Sequence, residues 1–336
     1  MCGIVGHLKI AESINPQLFD QMRDTLQHRG PDGSGTQILN NNKIALGHRR
    51  LSIIDLSNFG KQPMCNEDAT IWLTFNGEIY NFEKIRTELQ EKGHIFISKT
   101  DSEVLVHGYE EWGVEELLSK LNGMFAFAIW DQKEQKLVAA RDRFGIKPFY
   151  FYHDSKQFIF ASELKAIIME PSVKREVDFS SVSDFLVYRF IPSPKSIYEN
   201  IKKLPPAHYL IYDFANSTYK TVKYWKLESK NERLNSYSEI VEKCEALLMT
   251  SIKEHLVSDV PIGIFLSGGY DSSSIVHYMS KLGYPVKSFT IGFENWGESE
   301  HEYARIISEK YFTSHYERIL PPTLGSHISD LVYYYD

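Results

Sequence analysis

The second residue of the chain is a cysteine, in Met1-Cys2-Gly3-Ile4-Val5-Gly6. A side chain that small lets a methionine aminopeptidase remove Met1, which leaves Cys2 with a thiol and a free α-amine. One residue then holds both a nucleophile and a base. An α-amine titrates at about 8 and a thiol at about 8.5, so the neutral amine takes the thiol proton at little cost. The bland alternative is a methionine-capped start whose cysteine merely packs, because chain termini are commonly frayed. The second chemical signal is Ser267-Gly268-Gly269-Tyr270-Asp271-Ser272-Ser273, between an apolar run and a helical pattern. Glycines let backbone approach a phosphate, a helix start offers unpaired N–H groups and a positive dipole end, and serine hydroxyls add donors. An anion is expected there. No lysine follows the glycines, so this is not the GxxxxGK[ST] loop; the competing reading is a Ser/Gly turn that caps a helix.

The scaffold holding these residues is bounded by composition. At 336 residues the chain exceeds the size at which one core keeps growing, so two domains are expected. Hydrophobic content of 43% and charged content of 24% are ordinary for a globular chain. The net charge of −7, with no Lys/Arg cluster longer than Arg49-Arg50 or Lys202-Lys203, argues against a nucleic-acid partner. No uninterrupted apolar run of about 18 residues exists and the start lacks a secretory pattern, so no membrane contact and a cytoplasmic location are expected. Three cysteines, Cys2, Cys65 and Cys244, are too few for a disulfide framework or a paired-cysteine zinc site. Cys65 and Cys244 read as structural thiols.

Short β-rich runs alternate with turn signals in the first part of the chain. Residues 71–75 read as a strand ending at Asn76-Gly77, and 124–130, 136–140, 149–152 and 158–161 as further strands. Helical periodicity occurs at 81–92 and 102–112. Strands and helices so mixed predict an α+β sandwich. Proline and polar residues then thicken, and the boundary falls in the charged stretch 226–235. The division expected is a first domain over 1–205, a connecting segment over 206–236 and a second domain over 237–336. The second opens with an amphipathic helix capped by Ser236 or Ser238, with Ile240, Val241, Cys244, Leu247, Leu248 and Ile252 on one face. A strand at 261–266, a helix at 272–282, a strand at 286–291 and a helix at 300–312 make the start of a parallel α/β sheet. So few units cannot cover both sheet faces. The second domain is therefore expected to be incomplete, and an open apolar face would favour a homodimer.

Eight ordered motifs carry a family resemblance. They are Met1-Cys2-Gly3-Ile4, Arg29-Gly30-Pro31-Asp32, His48-Arg49-Arg50-Leu51-Ser52-Ile53-Ile54-Asp55 and Phe75-Asn76-Gly77-Glu78-Ile79-Tyr80-Asn81, followed by Thr100-Asp101-Ser102-Glu103, Asn122-Gly123-Met124-Phe125-Ala126-Phe127, Ala140-Arg141-Asp142-Arg143-Phe144-Gly145-Ile146-Lys147-Pro148 and Phe160-Ala161-Ser162-Glu163. They resemble the class II glutamine amidotransferases. The 267–273 loop resembles the SGGxDS loop of ATP pyrophosphatases, which cleave ATP between the α and β phosphates to adenylate a substrate. Together, over essentially all 336 residues, the chain resembles the glutamine-hydrolysing asparagine synthetases. The fold this implies is an N-terminal-nucleophile sandwich, αββα, followed by a partial α/β parallel-sheet domain like that of the ATP pyrophosphatases.

The resemblance also implies roles. Cys2 would attack the side-chain amide of glutamine, with its α-amine as base and later as acid to ammonia. The oxyanion would sit on the Asn76 amide and the Gly77 N–H, a glycine after a strand being free to aim its N–H outward. Arg50, with Arg49 as the alternative, would hold the substrate carboxylate through its guanidinium fork. Glu78 and Asp101 would face the substrate ammonium, although Asp101 could equally cap the helix beginning at Ser102. Adenine would lie against the backbone of Leu266 and Ile291, whose side chains read as core. Pyrophosphate would lie on Ser267, Gly268, Gly269, Asp271 and Ser272, with Mg2+ held through Asp271. Glu300 and Asp259 read as solvated or capping residues, and His28, His48 and His315 as structural hydrogen-bonders. The implied substrates are glutamine, aspartate and ATP, with ammonia passing to a β-aspartyl adenylate. Relatives carry a further Ser-Gly-x-Gly-x-Asp-Glu segment that these 336 residues lack, so the expectation for this chain is glutaminase chemistry without the complete synthetase step. Two other readings stand beside it: an amidotransferase with a sugar-acid or peptide acceptor, and a non-catalytic glutamine-binding module.

Overall fold

The structure, a computed structural model, describes residues 1–229, 236–294, 297, 299–321, 325 and 328–336. Two units divide it, Met1–Glu228 and Ser229–Asp336. The first begins with β1 (Gly3–Lys9), α1 (Pro16–Asp24), β2 (Gly33–Leu39), β3 (Ile44–Arg50), β4 (Met64–Cys65), β5 (Ile71–Ile79), α2 (Phe82–Glu91) and α3 (Glu103–Lys120). It continues with β6 (Gly123–Asp131), β7 (Lys136–Arg141), β8 (Tyr150–His153), β9 (Gln157–Ala161), α4 (Leu164–Ile168), α5 (Phe179–Tyr188), β10 (Ile201–Lys203), β11 (His208–Asp213) and β12 (Thr218–Lys223).

The strands form two six-stranded sheets, ordered β10-β8-β9-β1-β3-β2 and β12-β11-β7-β6-β5-β4. Period-two alternation gives each sheet two apolar faces. The inner faces meet, with Ile4, Leu8, Leu46 and Phe160 of one against Ala126, Ala128, Trp130 and Leu210 of the other. Outside the first sheet, Val5 and Ala45 lie under Phe19 and Met22 of α1 and Ile167 of α4. Outside the second, Leu73 and Phe75 lie under Ile85 and Leu89 of α2 and Leu105 and Leu117 of α3. The layering is the expected αββα sandwich.

Two sequence expectations change here. Strand β5 does not stop at Asn76-Gly77 but pairs with β6 in unbroken register, from Ile71↔Asp131 to Ile79↔Gly123. An Asn-Gly pair is a strong hairpin signal in isolation, yet a central strand paired along its length overrides it. Gly77 is required for closeness rather than for a turn, since a Cβ there would stand 2.3 Å from the Met124 carbonyl oxygen. Second, the segment 206–236 is not a plain connection. It contains β11, which pairs with β7, and β12, which pairs with β11; the Pro205-Pro206 punctuation masks the buried Tyr209, Leu210 and Tyr212 that follow. The first unit ends within the charged 226–235 stretch. Helix α3 also outruns its expected end, continuing past a break at Gly113 (φ 70°).

The second unit contains α6 (Tyr237–His255), β13 (Gly263–Phe265), α7 (Tyr270–Lys281), β14 (Lys287–Phe293), α8 (His301–Lys310), β15 (Ser314–Leu320) and α9 (Ile328–Tyr335). Ser236 caps α6, its Oγ accepting from the Glu239 N–H at 3.2 Å. Strands β13, β14 and β15 run parallel. Val276 and Met279 of α7 and Ala304 of α8 pack with Leu266 and Val286. Strand β14 alternates, Ser288 and Thr290 being buried while Phe289, Ile291 and Phe293 are exposed. The exposure of Ile291 corrects its reading as core, while Leu266 is buried as expected. The apolar stripe of α6 is likewise largely exposed at Ile240, Val241, Leu247 and Leu248, with Ile252 packing inward. Among the described residues, no helix is long and apolar enough to cross a membrane.

Candidate active site

The amino terminus emerges in the middle of a sheet. Strand β1 lies between β9 and β3, the Ile4 N–H donates to Ser162 Oγ at 3.0 Å, and the Ser162 N–H donates to the Ile4 carbonyl at 2.9 Å. Arg29 Nε donates to the Cys2 carbonyl at 3.0 Å while its Nη1 pairs with Glu163 at 2.7 Å. Cys2 is therefore fixed rather than frayed. Its sulfur accepts from the Leu51 N–H at 3.4 Å. Burial pushes the Cys2 thiol above its ordinary pKa, with the Leu51 hydrogen bond opposing. A thiol kept neutral in this way needs a base before it can attack. The α-amine at Met1, in the unprocessed chain, is pushed down by burial, with nearby Cys2 opposing.

Cys2 opens on a cleft whose walls also include Arg50, Asn76, Gly77, Glu78 and Asp101. All six residues expected at a glutamine site thus meet, although they come from four separate stretches of chain. The pleat of β5 explains how. N–H groups two residues apart on a strand point to the same side. The Phe75 N–H donates to Gln62 Oε1 at 2.7 Å and the Ile79 N–H to Asp101 Oδ2 at 2.8 Å. The Gly77 N–H between them therefore faces the side on which Gln62 and Asp101 line the cleft. Asn76 is 1% exposed, and neither atom of its side-chain amide has a hydrogen-bond partner among the described residues. An unpartnered buried amide beside a strand N–H is a donor pair suited to a developing oxyanion.

The two arginines separate cleanly. Arg50 donates to the carbonyls of Ser57 (2.9 Å), Ile54 (3.4 Å) and Asp55, which leaves two of a guanidinium's five N–H donors. Gly60 makes the room, because a Cβ there would lie 2.1 Å from Nη2 of Arg50. Arg49 instead donates to the Gly30 carbonyl at 3.1 Å and pairs with Asp24 at the end of α1 at 3.4 Å. Successive strand residues point to opposite faces, so only one of the pair reaches the cleft. Lysine at position 50 keeps the charge but cannot span those carbonyls and a carboxylate together. Arg50→Lys should raise the KM for glutamine about 10- to 100-fold with a smaller change in kcat; initial-rate kinetics decide it.

Asp101 does not cap α3, as one reading of the sequence allowed; its carboxylate holds the Ile79 N–H instead. Burial, with the Glu78 charge adding to it, raises its pKa to about 7. Of the motif histidines, His48 Nε2 lies 3.0 Å from the Phe75 carbonyl, tying the first sheet to β5 just before Asn76, and burial lowers its pKa to about 3. His28 lies 3.0 Å from Glu163 and His315 Nδ1 2.8 Å from Ser288 Oγ. These contacts agree with the structural reading.

The sequence reading gave no role to several residues in or behind the cleft wall. Gln62 joins β5 to the start of α3, its Nε2 donating to Ser102 Oγ at 3.2 Å. Asp55 joins the arginine loop to the next segment, accepting from the Ser57 N–H at 3.0 Å and the Lys99 N–H at 2.8 Å. Lys147 is buried in the cleft wall and its pKa is lowered by burial, with Glu78 opposing. It lies within the 140–148 motif; a lysine in an otherwise apolar Gly145-Ile146-Lys147-Pro148 run was the available signal.

In the second unit the 267–273 loop follows β13 and enters α7. Gly268 has φ +80°, and a Cβ there would stand 2.5 Å from Tyr303 Cβ and 2.6 Å from the Ala304 nitrogen, so only glycine fits. Among the described residues Gly269 precedes α7 without a side-chain cap, so first-turn N–H groups are available to a ligand. Ser267 and Ser272 hydroxyls lie 3.1 Å apart. These donors suit a phosphate group. Leu266 is less free than expected, its N–H donating to the Phe289 carbonyl at 2.9 Å and its carbonyl accepting from Thr290. Asp271 is exposed in the first turn of α7, Glu300 is the exposed cap residue of α8, and Asp259 is exposed.

Two antiparallel sheets between helical layers, with a cysteine at the start of a central strand, define the N-terminal-nucleophile class. Comparison with known proteins then fixes the family. The chain belongs to the glutamine amidotransferase domain family, matched over residues 1–225, and residues 243–336 match the asparagine synthase family. It is 37% identical to glutamine-hydrolyzing asparagine synthetase 1 of Bacillus subtilis (strain 168), over 96% of this chain and 50% of that protein. It is 38% identical to glutamine-hydrolyzing asparagine synthetase 3 of the same organism, over 88% of this chain and 48% of that protein. The chain thus spans about half the length of these curated relatives. Among solved structures, glutamine phosphoribosylpyrophosphate amidotransferase from B. subtilis, complexed with ADP and GMP, shares the fold at 20% identity and a TM-score of 0.51. That likeness covers 88% of this chain and 68% of that one.

Proposed function

We propose that the cleft hydrolyses glutamine to glutamate and ammonia, and that the chain contributes this step to a glutamine-dependent asparagine synthetase. Six residues of suitable chemistry around one cleft, with Cys2 among them, carry the reading. Once Met1 is removed, the Cys2 amine accepts the thiol proton as the sulfur attacks the amide carbon. Negative charge on the former carbonyl oxygen is met by the Asn76 amide and the Gly77 N–H. The amine returns its proton to departing ammonia, and water hydrolyses the thioester. Arg50 faces the α-carboxylate, and Glu78 and Asp101 face the ammonium.

In the second unit, Ser267, Gly268, Gly269, Asp271 and Ser272 would hold the pyrophosphate of ATP, with Asp271 acting through Mg2+ and the 266 and 291 backbone beside adenine. Bound ATP would supply the adenylate that makes an aspartate carboxyl reactive to ammonia. A cytoplasmic setting agrees with three cysteines that are all free thiols.

The test measures glutamate and AMP separately in purified protein whose intact mass shows Cys2 first. Glutamate release is expected. Its absence from correctly processed protein overturns the glutaminase reading and favours a binding module. Aspartate-dependent AMP release by protein spanning the full length of the relatives separates aspartate from sugar-acid or peptide acceptors.

The Asp101 carboxyl gives this site a pH signature. Its raised pKa of about 7 means the free cleft keeps a proton that a bound ammonium must displace. Glutamine binding should weaken as pH falls below about 7, by up to about tenfold per unit for one displaced proton. The KM profile of Asp101→Asn should be flat across that range and raised at pH values above it. An unchanged profile in the variant removes Asp101 from the ammonium site.

A further inference from the structure

Helix α3 carries a second cluster away from the glutamine cleft. The His107 side chain is 2% exposed, and its Nδ1 is buried with no hydrogen-bond partner among the described residues. That nitrogen faces Glu110 Oε2 at 3.9 Å and Glu67 Oε1 at 4.0 Å. His94, just beyond α2, directs its own Nδ1 to the same Glu110 oxygen at 4.0 Å. One ligand atom from each of His94, His107 and Glu110 lies within 4.8 Å of the other two. These separations are too long for hydrogen bonds. Ligands about 2.0–2.2 Å from a tetrahedral zinc ion stand roughly 3.3–3.6 Å apart, so small side-chain adjustments would close the set on one ion.

The opposite edge of one imidazole is placed as metal ligation requires: His94 Nε2 is 3.3 Å from Glu111 Oε2, while His107 Nε2 faces Glu103 Oε1 at 3.6 Å, beyond hydrogen-bond length. A carboxylate on the far nitrogen fixes the tautomer and makes the near nitrogen a stronger ligand. Asn66 donates to Glu110 Oε1 at 3.2 Å, which leaves Oε2 turned to the histidines. The Phe96 ring, 4.7 Å from that of His107 in an edge contact, holds the imidazole in place. Two neutral imidazoles and two carboxylates balance a divalent charge, and a nitrogen and oxygen donor set without thiolate suits zinc, cobalt or nickel.

We propose that His94, His107 and Glu110, with Glu67 as fourth ligand, bind one divalent transition-metal ion of the zinc class. The ion would join α3 to the chain leaving α2 and to the turn before β5. Its role would be bracing, since α3 follows Asp101 directly and β5 carries Asn76.

The test uses untagged full chain carrying Cys2→Ser, so that the cleft thiol cannot capture metal. Equilibrium dialysis against Zn2+ with elemental analysis should find one bound equivalent, and Co2+ should give visible d–d bands of low-symmetry nitrogen and oxygen ligation. His94→Asn and Glu110→Gln, both at partly exposed positions, should each weaken zinc binding at least about tenfold, and Glu111→Gln should weaken it about tenfold through His94. Zinc should raise the melting temperature of the parent and not that of the His94→Asn, Glu110→Gln double variant, whose metal-free circular dichroism should match the parent's. No bound equivalent in the parent, or binding that survives in a folded double variant, overturns the proposal.

Discussion

Cys2→Ala should abolish glutamate release, with a fall in kcat of at least about 10^4-fold, while the chain stays folded and still binds glutamine. The size follows from what the side chain alone supplies: without sulfur no thioester forms, and the remaining donors cannot activate water in its place. The fold should tolerate the change because β1 is held through its backbone and Ser162, not through the thiol. Protein that retains Met1 should be comparably inactive, since its free amine is one residue from the sulfur it must deprotonate. Intact mass separates the two populations, and glutamate release measured on each reads their activities. An alanine variant that still hydrolyses glutamine removes Cys2 from the mechanism.

Asn76→Ala should lower kcat about 10^2- to 10^3-fold with little change in KM, and it should leave the protein as stable as before or more so. The second half is unusual for a buried polar residue. Removing a satisfied group normally strands its partner and costs about 1–3 kcal/mol. Here both amide atoms lack a partner among the described residues, so truncation strands nothing and ends an existing desolvation cost. Activity and stability should therefore move in opposite directions, the pattern of a residue kept for the transition state. Steady-state kinetics and urea unfolding together decide. Unchanged kcat with a marked loss of stability would make Asn76 a packing residue.

The sequence disclosed chemistry more readily than the geometry that gathers it. Cys2 could be named from its place at the chain start, whereas Asn76, Gly77 and Asp101 were named through the family resemblance of the motifs that hold them, and the sandwich followed from mixed strand and helix patterns. Arg49 and Arg50 could not be told apart by composition; strand β3 separates them by sending neighbours to opposite faces. The Asn76-Gly77 pair misled because turn chemistry is local, whereas pairing with β6 is not. Gln62, Asp55 and Lys147 escaped notice for a related reason. Each acts across 13 or more positions of chain or through burial, and neither leaves a periodic trace. His94 and His107 are 13 residues apart and meet only because the chain folds back between α2 and α3.

Strands β11 and β12 determine where this unit can be cut free. Severed at residue 205, β7 would become a bare sheet margin with a row of unsatisfied amides, and Phe158 would lose the Tyr212 ring stacked on it at 4.7 Å. Such margins recruit strands from other molecules and precipitate. Severed after Glu228, the unit keeps both strands, the Tyr224 hydroxyl bond to the Arg141 carbonyl at 2.9 Å and the Phe144–Trp225 ring pair. A transplantable first unit therefore extends some twenty residues beyond the prolines that look like its natural terminus.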